Sequence, residues 1–234
     1  MRFTAGPFIR ESGAAGDSRF VRTTVADRFD GARAGRESVR HLEKGLPMKR
    51  AYRKRSYPLD EIRRFLEPGP IVLVSSAWQG TFNIMTMGWH MMLGFSPALF
   101  GCYIWEENHS YPMLRRSKEC VINLPTLDLV DTVVGIGNCH GADDVNKFHQ
   151  FGLTPKRATK VAAPLITECY ANFECRLRET RLIRTYGLFI WEVVKAHVAV
   201  SPKRPQTIHY RGQGEFMISG RTINRRRKFR PENL

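Results

Sequence analysis

The segment Phe82-Asn83-Ile84-Met85-Thr86-Met87-Gly88-Trp89 gathers groups suited to gripping a flat, polar-edged ligand. The Asn83 amide both donates and accepts, which matches the alternating edge of a pyrimidine-like ring. Thr86 adds a hydroxyl, and Gly88, lacking a Cβ, lets backbone amides approach an aromatic ring closely. Further on, His109-Ser110-Tyr111-Pro112 has the form of a helix start, with an imidazole, a hydroxyl and first-turn N–H groups all available to an anion. Trp89 and Tyr111 are candidate walls. Taken singly, each residue reads as well as part of an ordinary turn or strand edge. In this order they predict a pocket for a planar ring with a phosphate tail.

Such a pocket needs two adjacent strand ends, and the pattern around it supplies them. Strands are expected at 71–76, 82–88 and 98–105, with Gln79-Gly80 at the first turn and Ser96-Pro97 before the third. Helix is expected at 110–118, strand at 119–124 up to Pro125, and helices at 127–136 and 143–150. Over 168–183, Phe173, Cys175 and Leu177 alternate with Glu174, Arg176 and Arg178, predicting a long strand with one buried and one wet face. The run 187–200 is apolar on both faces (Phe189, Ile190, Trp191, Val193, Val194), as in a central or interface strand. Short strands near 206–210 and 215–218 complete the pattern. Strands that pair with their sequence neighbours favour a mainly β fold, an antiparallel barrel with helical insertions, over a doubly wound sheet.

The chain has 234 residues, 42% of them hydrophobic, and a net charge of +15. That charge is unevenly placed: residues 1–47 contribute +3, 48–64 and 221–234 contribute +5 each, and 65–220 only +2. The basic flanks therefore read as a solvated periphery, with no specific nucleic-acid partner. Residues 1–47, rich in Arg, Gly, Ala and Ser, are expected to be disordered, or a mis-called extension ahead of a start at Met48. An Arg-rich organellar presequence is the competing reading, and six acidic residues count against it. Residues 48–68 read as a basic lead-in with a short helix opened by Pro58, 69–220 as the folded domain, and 221–234 as a basic tail. No apolar run is long enough to span a bilayer, so no membrane partner is expected. Five scattered cysteines without a CxxC pair point to reduced thiols in the cytoplasm.

Four other constellations compete for attention. Gly135-Ile136-Gly137-Asn138-Cys139-His140-Gly141 imitates a dinucleotide-binding turn, yet Asp131 interrupts the apolar run before it, and Asp143-Asp144 put negative charge at the supposed phosphate. His140, Asp143, Asp144 and His149 lack the short spacings that close a metal site. Ser75, Ser76, Ser110 and Ser201 have no GxSxG elbow. Cys169 and Cys175, six apart, read as core residues of one strand face.

The ordered motifs GPIVLVSS (69–76), FNIMTMGW (82–89), SPALFGCYIW (96–105), HSYPML (109–114), CVINLP (120–125), DDVNKF (143–148), APLITECYANFECRL (163–177) and LFIWEVVKAHV (188–198) together resemble the flavin reductase-like proteins. This is the FMN-binding split β-barrel group that includes flavoredoxin and ferric reductase-like members. The resemblance implies a Greek-key-like antiparallel barrel, a homodimer with FMN at the subunit interface, and NAD(P)H as transient donor. Electrons would pass to a small-molecule or protein acceptor. By the same resemblance Asn83, Thr86, Met87, Gly88 and Trp89 would line the ring and ribityl side, and His109, Ser110 and Tyr111 the phosphate. Lys147 matches the family's Lys-Phe pair, Glu168 and Glu192 match recurrent structural acids, and no side chain is implied as an obligatory acid or base. His109 stands where many relatives carry Arg or Lys, which removes a fixed positive charge. An FMN-binding electron carrier without NAD(P)H turnover is the alternative.

Overall fold

The computed structural model describes residues 69–140 and 145–233. The expectations for 1–47, for the lead-in 48–68 and for Asp143-Asp144 lie outside those residues. Strand β1 (Val72–Trp78) and β2 (Thr81–Met87) form a hairpin whose two-residue turn, Gln79 and Gly80, has φ of 50° and 80°. Positive φ at both positions matches the right-handed twist of the strands it joins. Next come β3 (His90–Phe95), β4 (Ala98–Tyr103), helix α1 (Ser110–Ser117) and β5 (Glu119–Leu124). A 3-10 turn at Leu127–Leu129 leads into α2 (Val130–Asn138), followed by α3 (Lys147–Gln150). The remaining elements are β6 (Pro155–Lys156), β7 (Leu165–Ile166), β8 (Ala171–Glu179), α4 (Arg181–Tyr186), β9 (Leu188–Val198), β10 (Ile208–Gly212) and β11 (Glu215–Ile218).

Among the described residues seven strands make one antiparallel sheet, in the order β2-β1-β5-β8-β9-β4-β3. After the first two hairpins β5 returns to lie beside β1, a Greek-key-like connection. The outermost strands, β2 and β3, are consecutive in the chain and joined only by Gly88 and Trp89. A flat sheet would hold its edges far apart, so this link forces the sheet to curl until the two edges meet at one end. One core cluster accordingly draws Met87 from β2, Val72 and Val74 from β1, Cys120 and Ile122 from β5, Cys175 from β8, Phe189 and Trp191 from β9, and Phe100 and Cys102 from β4. The fold is an antiparallel barrel split between β2 and β3.

Alternation along β1 explains its continuous apolar run. Val72 and Val74 face the barrel interior, whereas Leu73 packs outside with Ile84, Val133, Ile136 and Phe148 under the helical layer. Within the interior Phe189 stacks on Trp191 (centroids 5.6 Å apart), and the Trp191 Nε1–H donates to Cys102 Sγ at 3.3 Å. Burial pushes the Cys102 thiol up to about 12, against the Trp191 hydrogen bond that lowers it. Burial likewise raises Cys120 well above its ordinary value. Such thiols are packing groups.

The structure corrects several expectations. Strand β3 falls between the expected strands 82–88 and 98–105; its run His-Met-Met-Leu-Gly-Phe has no alternation, and Met91, Met92, Leu93 and Phe95 are all exposed. The long strand 168–183 is shorter, β8 giving way to α4, which ends where Gly187 takes a left-handed φ of 61°. Of the helix expected over 143–150, the described part is helical only at α3, with 145–146 outside it. Cys169 precedes β8 and belongs to the outer cluster, while Cys175 lies in the barrel interior. Gly135, part of the dinucleotide-like motif, sits within α2, where a Cβ would come 2.5 Å from the Phe151 ring. The glycine serves close packing rather than phosphate binding.

Glu174, expected on the wet face of β8, is fully buried. Its carboxylate accepts from the backbone N–H groups of Thr159 and Lys160, from the Thr159 hydroxyl at 2.9 Å, and from His197 Nε2 at 2.7 Å. Burial alone would raise its pKa, but these donors, His197 foremost, hold it at about 2. A carboxylate whose folded pKa is depressed stabilises the fold above its unfolded value, near 4.5, and loses that contribution as pH falls toward about 2. Glu174→Gln is therefore expected to cost about 2–3 kcal/mol at pH 7. The gap to the native chain should close on acidification to the low end of this window. Urea melts across pH would test this; a gap independent of pH would show that the charge contributes nothing.

Candidate functional site

Asn83 lies in the middle of β2, and Ser110 is the first residue of α1. The Asn83 Nδ2–H donates to Ser110 Oγ at 2.8 Å, and both side chains are buried. This bond uses a hydroxyl lone pair and leaves the Ser110 O–H able to donate. One residue along β2, the Ile84 carbonyl accepts from Lys147 Nζ at 3.0 Å. Lys147 opens α3 and is only 4% exposed, so an ammonium is held inside the protein beside the Asn83–Ser110 pair. A buried ammonium costs several kcal/mol to desolvate unless anions or carbonyl dipoles surround it.

Helix α1 forms here for local reasons. Pro112 occupies its first turn, where a missing N–H is harmless, and the Tyr111 N–H bonds back to the Asn108 carbonyl at 2.8 Å. The helix has no side-chain cap and no acid in its first turn, and Arg115 and Arg116 occupy its last. Its positive end is therefore left without a carboxylate of its own. His109, at the cap position, meets the His140 ring edge-on with centroids 6.1 Å apart. Partial burial first, then the positive neighbours His140 and Lys147, hold the His109 imidazole below its ordinary value of 6.5. The donor set of amide, hydroxyl, ammonium and two imidazoles, next to an uncapped helix start, fits a phosphate dianion.

The remaining predicted residues differ in what they present. The Thr86 hydroxyl is engaged, donating to the Val133 carbonyl of α2 at 2.8 Å. Met87 and Tyr111 turn their side chains into the barrel core, Tyr111 edge-on to Phe189 at 5.5 Å. What they and Gly88 can give a ligand is chiefly backbone. Trp89 is 41% exposed at the seam and lies against Tyr103, with centroids 5.4 Å apart. Asn83, His109, Ser110 and Lys147 thus converge, while Trp89 stands at the rim where β2 passes into β3. His140 joins this group from the end of α2, a placement that its spacing from His109 gives no means of reading.

Glu168 accepts the Thr154 N–H at 3.0 Å, and Glu192 pairs with Arg178 at 3.7 Å. Among the described residues no helix is long and apolar enough to cross a membrane.

Comparison with known proteins agrees with this architecture. The chain is 34% identical over 112 residues to an uncharacterized protein of Archaeoglobus fulgidus, a match covering 48% of this chain and 63% of that relative. An FMN-binding domain of a flavin reductases-like enzyme from Shewanella baltica OS155 superposes with a TM-score of 0.62 at 27% identity, covering 72% of this chain and 95% of the other. Flavoredoxin from Methanosarcina acetivorans gives a TM-score of 0.64 at 19% identity, over 78% of this chain and all of that one, a likeness of fold. The family model described as the flavin reductase like domain matches residues 63–216, so the chain belongs to the flavin reductase-like family.

Proposed function

We propose that the chain is an FMN-binding oxidoreductase, passing hydride equivalents from NAD(P)H to flavin, ferric or protein acceptors. The carrying observation is the buried convergence of Asn83, Ser110 and Lys147 at the uncapped start of α1. FMN, when bound, supplies the hydride-accepting chemistry, and the protein supplies binding, orientation and electrostatics. In this reading Ser110, His109 and Lys147 hold the phosphate. Asn83 and the backbone of Thr86, Met87, Gly88 and Tyr111 address the ring and ribityl side, and Trp89 walls the seam. No side chain is needed as acid or base. The purified protein is expected to show bound-flavin absorption bands. Ser110→Ala should weaken FMN binding at least tenfold by fluorescence titration, and Asn83→Leu with Ser110→Leu should bleach the protein while circular dichroism persists. Undiminished affinity in Ser110→Ala would remove the phosphate assignment.

The fold likeness to flavoredoxin leaves a second reading open, an electron carrier without NAD(P)H turnover. Stopped-flow mixing separates the two: bleaching of the flavin band by NADH or NADPH supports the reductase, and no bleaching with either supports the carrier.

The partner we propose is a second copy of this chain. Among the described residues strand β3 has no further strand on its outer side, and it exposes Met91, Met92 and Leu93, with Phe95 98% exposed. Monomeric proteins seldom leave such an apolar edge to water. Because Trp89 adjoins it, a second copy seated there would cover the seam where FMN is proposed to lie. Light scattering should report a dimer, and Met92→Asp with Phe95→Asp should give a monomer with weakened FMN binding. A native chain that is monomeric at micromolar concentration would overturn this reading. The five free cysteines suit a reducing, cytoplasmic setting.

A further inference from the structure

We propose that segment 221–230 is a sequence-independent binding site for single-stranded nucleic acid, in which a preset fan of arginines grips phosphates and Phe229 stacks on a base. The inference goes beyond the FMN reading and does not rest on it.

Residues 221–230 carry six cations, Arg221, Arg225, Arg226, Arg227, Lys228 and Arg230, and no acid. All six are exposed, and among the described residues none of them forms a salt bridge. The remainder of the chain brings no net counter-charge, since 1–47, 48–64 and 65–220 are each net positive. Local hydrogen bonds set the shape of the segment. Asn224 Oδ1 accepts the Arg226 N–H at 2.8 Å, ahead of a 3-10 turn at Arg226–Lys228. The Lys228 N–H donates to the Arg225 carbonyl at 2.8 Å, and the Phe229 N–H to the Arg226 carbonyl at 3.1 Å. At three residues per turn, successive side chains diverge by about 120°. Arg225, Arg226 and Arg227 therefore spread as a fan, and with Asn224 and Lys228 they line an open hollow of about 360 Å³. A turn ordered in advance loses less entropy on binding.

The chemistry of these groups selects the partner. Five of the six cations are arginines, whose planar forks meet phosphate oxygens in pairs and lie flat against bases. Phe229, exposed between Lys228 and Arg230, adds a ring for a base to stack on. A membrane surface fits less well. Interfacial segments bury one continuous apolar face of a helix, whereas Ile223 and Phe229 stand singly on either side of the cations. Within 221–230 the one regular element is this short turn, which offers no helix or strand to read base edges in a groove. Binding here is blind to base sequence.

Fluorescence anisotropy of a labelled oligouridylate, titrated with the full-length protein at several salt concentrations, tests the site. Each phosphate contact on a single strand contributes a slope of about −0.7 to log K against log salt concentration. Combining Arg225→Gln, Arg226→Gln, Arg227→Gln and Lys228→Gln should therefore flatten the slope by about 3. The charge-conserving combination of Arg225→Lys, Arg226→Lys and Arg227→Lys should keep it. Phe229→Ala should leave the slope unchanged and lower affinity at least about fivefold. A four-glutamine variant with native affinity and slope overturns the site, as does a native protein that fails to bind the oligonucleotide at low salt. Undiminished affinity in Phe229→Ala overturns the stacking role. Tighter binding to vesicles of phosphatidylcholine and phosphatidylserine than to the oligonucleotide, lost in the four-glutamine variant, overturns the nucleic-acid assignment in favour of a membrane surface.

Discussion

A single stretch of chain, residues 81–95, provides both edges of the main sheet, with only Gly88 and Trp89 between its halves. Every larger feature follows from that constraint. Because the edges cannot separate at this end, the sheet closes on an interior shared by strands from both ends of its order. Because β2 and β3 leave the link in different directions, the barrel remains split, and a seam opens there. The candidate site lies along the β2 side of this seam, and β3 carries its exposed apolar edge away on the other.

Polar groups inside this shell are held by dense hydrogen bonding. The Asn123 amide donates to the Leu73 carbonyl at 3.0 Å and accepts from Asn172 Nδ2 at 2.8 Å and the Ile166 N–H at 3.1 Å, binding β1, β5, β7 and β8 together. Glu174 is satisfied in the same manner by the Thr159–Lys160 loop and His197. Satisfaction of this kind offsets the desolvation cost that an unpaired polar group would carry. The buried Lys147 ammonium donates to the Ile84 carbonyl at 3.0 Å, and burial, with His140 and Lys147 close by, holds the His109 imidazole below its ordinary value.

Much of the architecture was legible from residue order. The strand 119–124 matches its predicted bounds, and the helix from 110 and the strand from 188 match to within two residues, because proline, glycine and apolar alternation mark them plainly. Asn83 and Ser110 were legible as polar groups at strand and helix starts, and the structure joins them by a hydrogen bond. What was illegible shares one cause. Glu174 looks solvent-facing by alternation, yet a loop from 158–163 covers it, and alternation says nothing about what covers a face. Strand β3 lacks the two-residue period because Met91, Met92, Leu93 and Phe95 leave both of its faces exposed. Thr86 and Tyr111 are committed elsewhere by contacts with α2 and β9.

The sequence by itself determined the mainly antiparallel pairing, the family and the chemical kinds of group available, since these depend on local conformational preference and on motif order. Tertiary structure alone decided which groups meet. It buried Lys147 next to Asn83 and Ser110, set His140 against His109, and turned Met87 and Tyr111 inward. The physical reason is that charge interactions and burial act through space over a few ångströms, between residues whose separation along the chain carries no record of their distance.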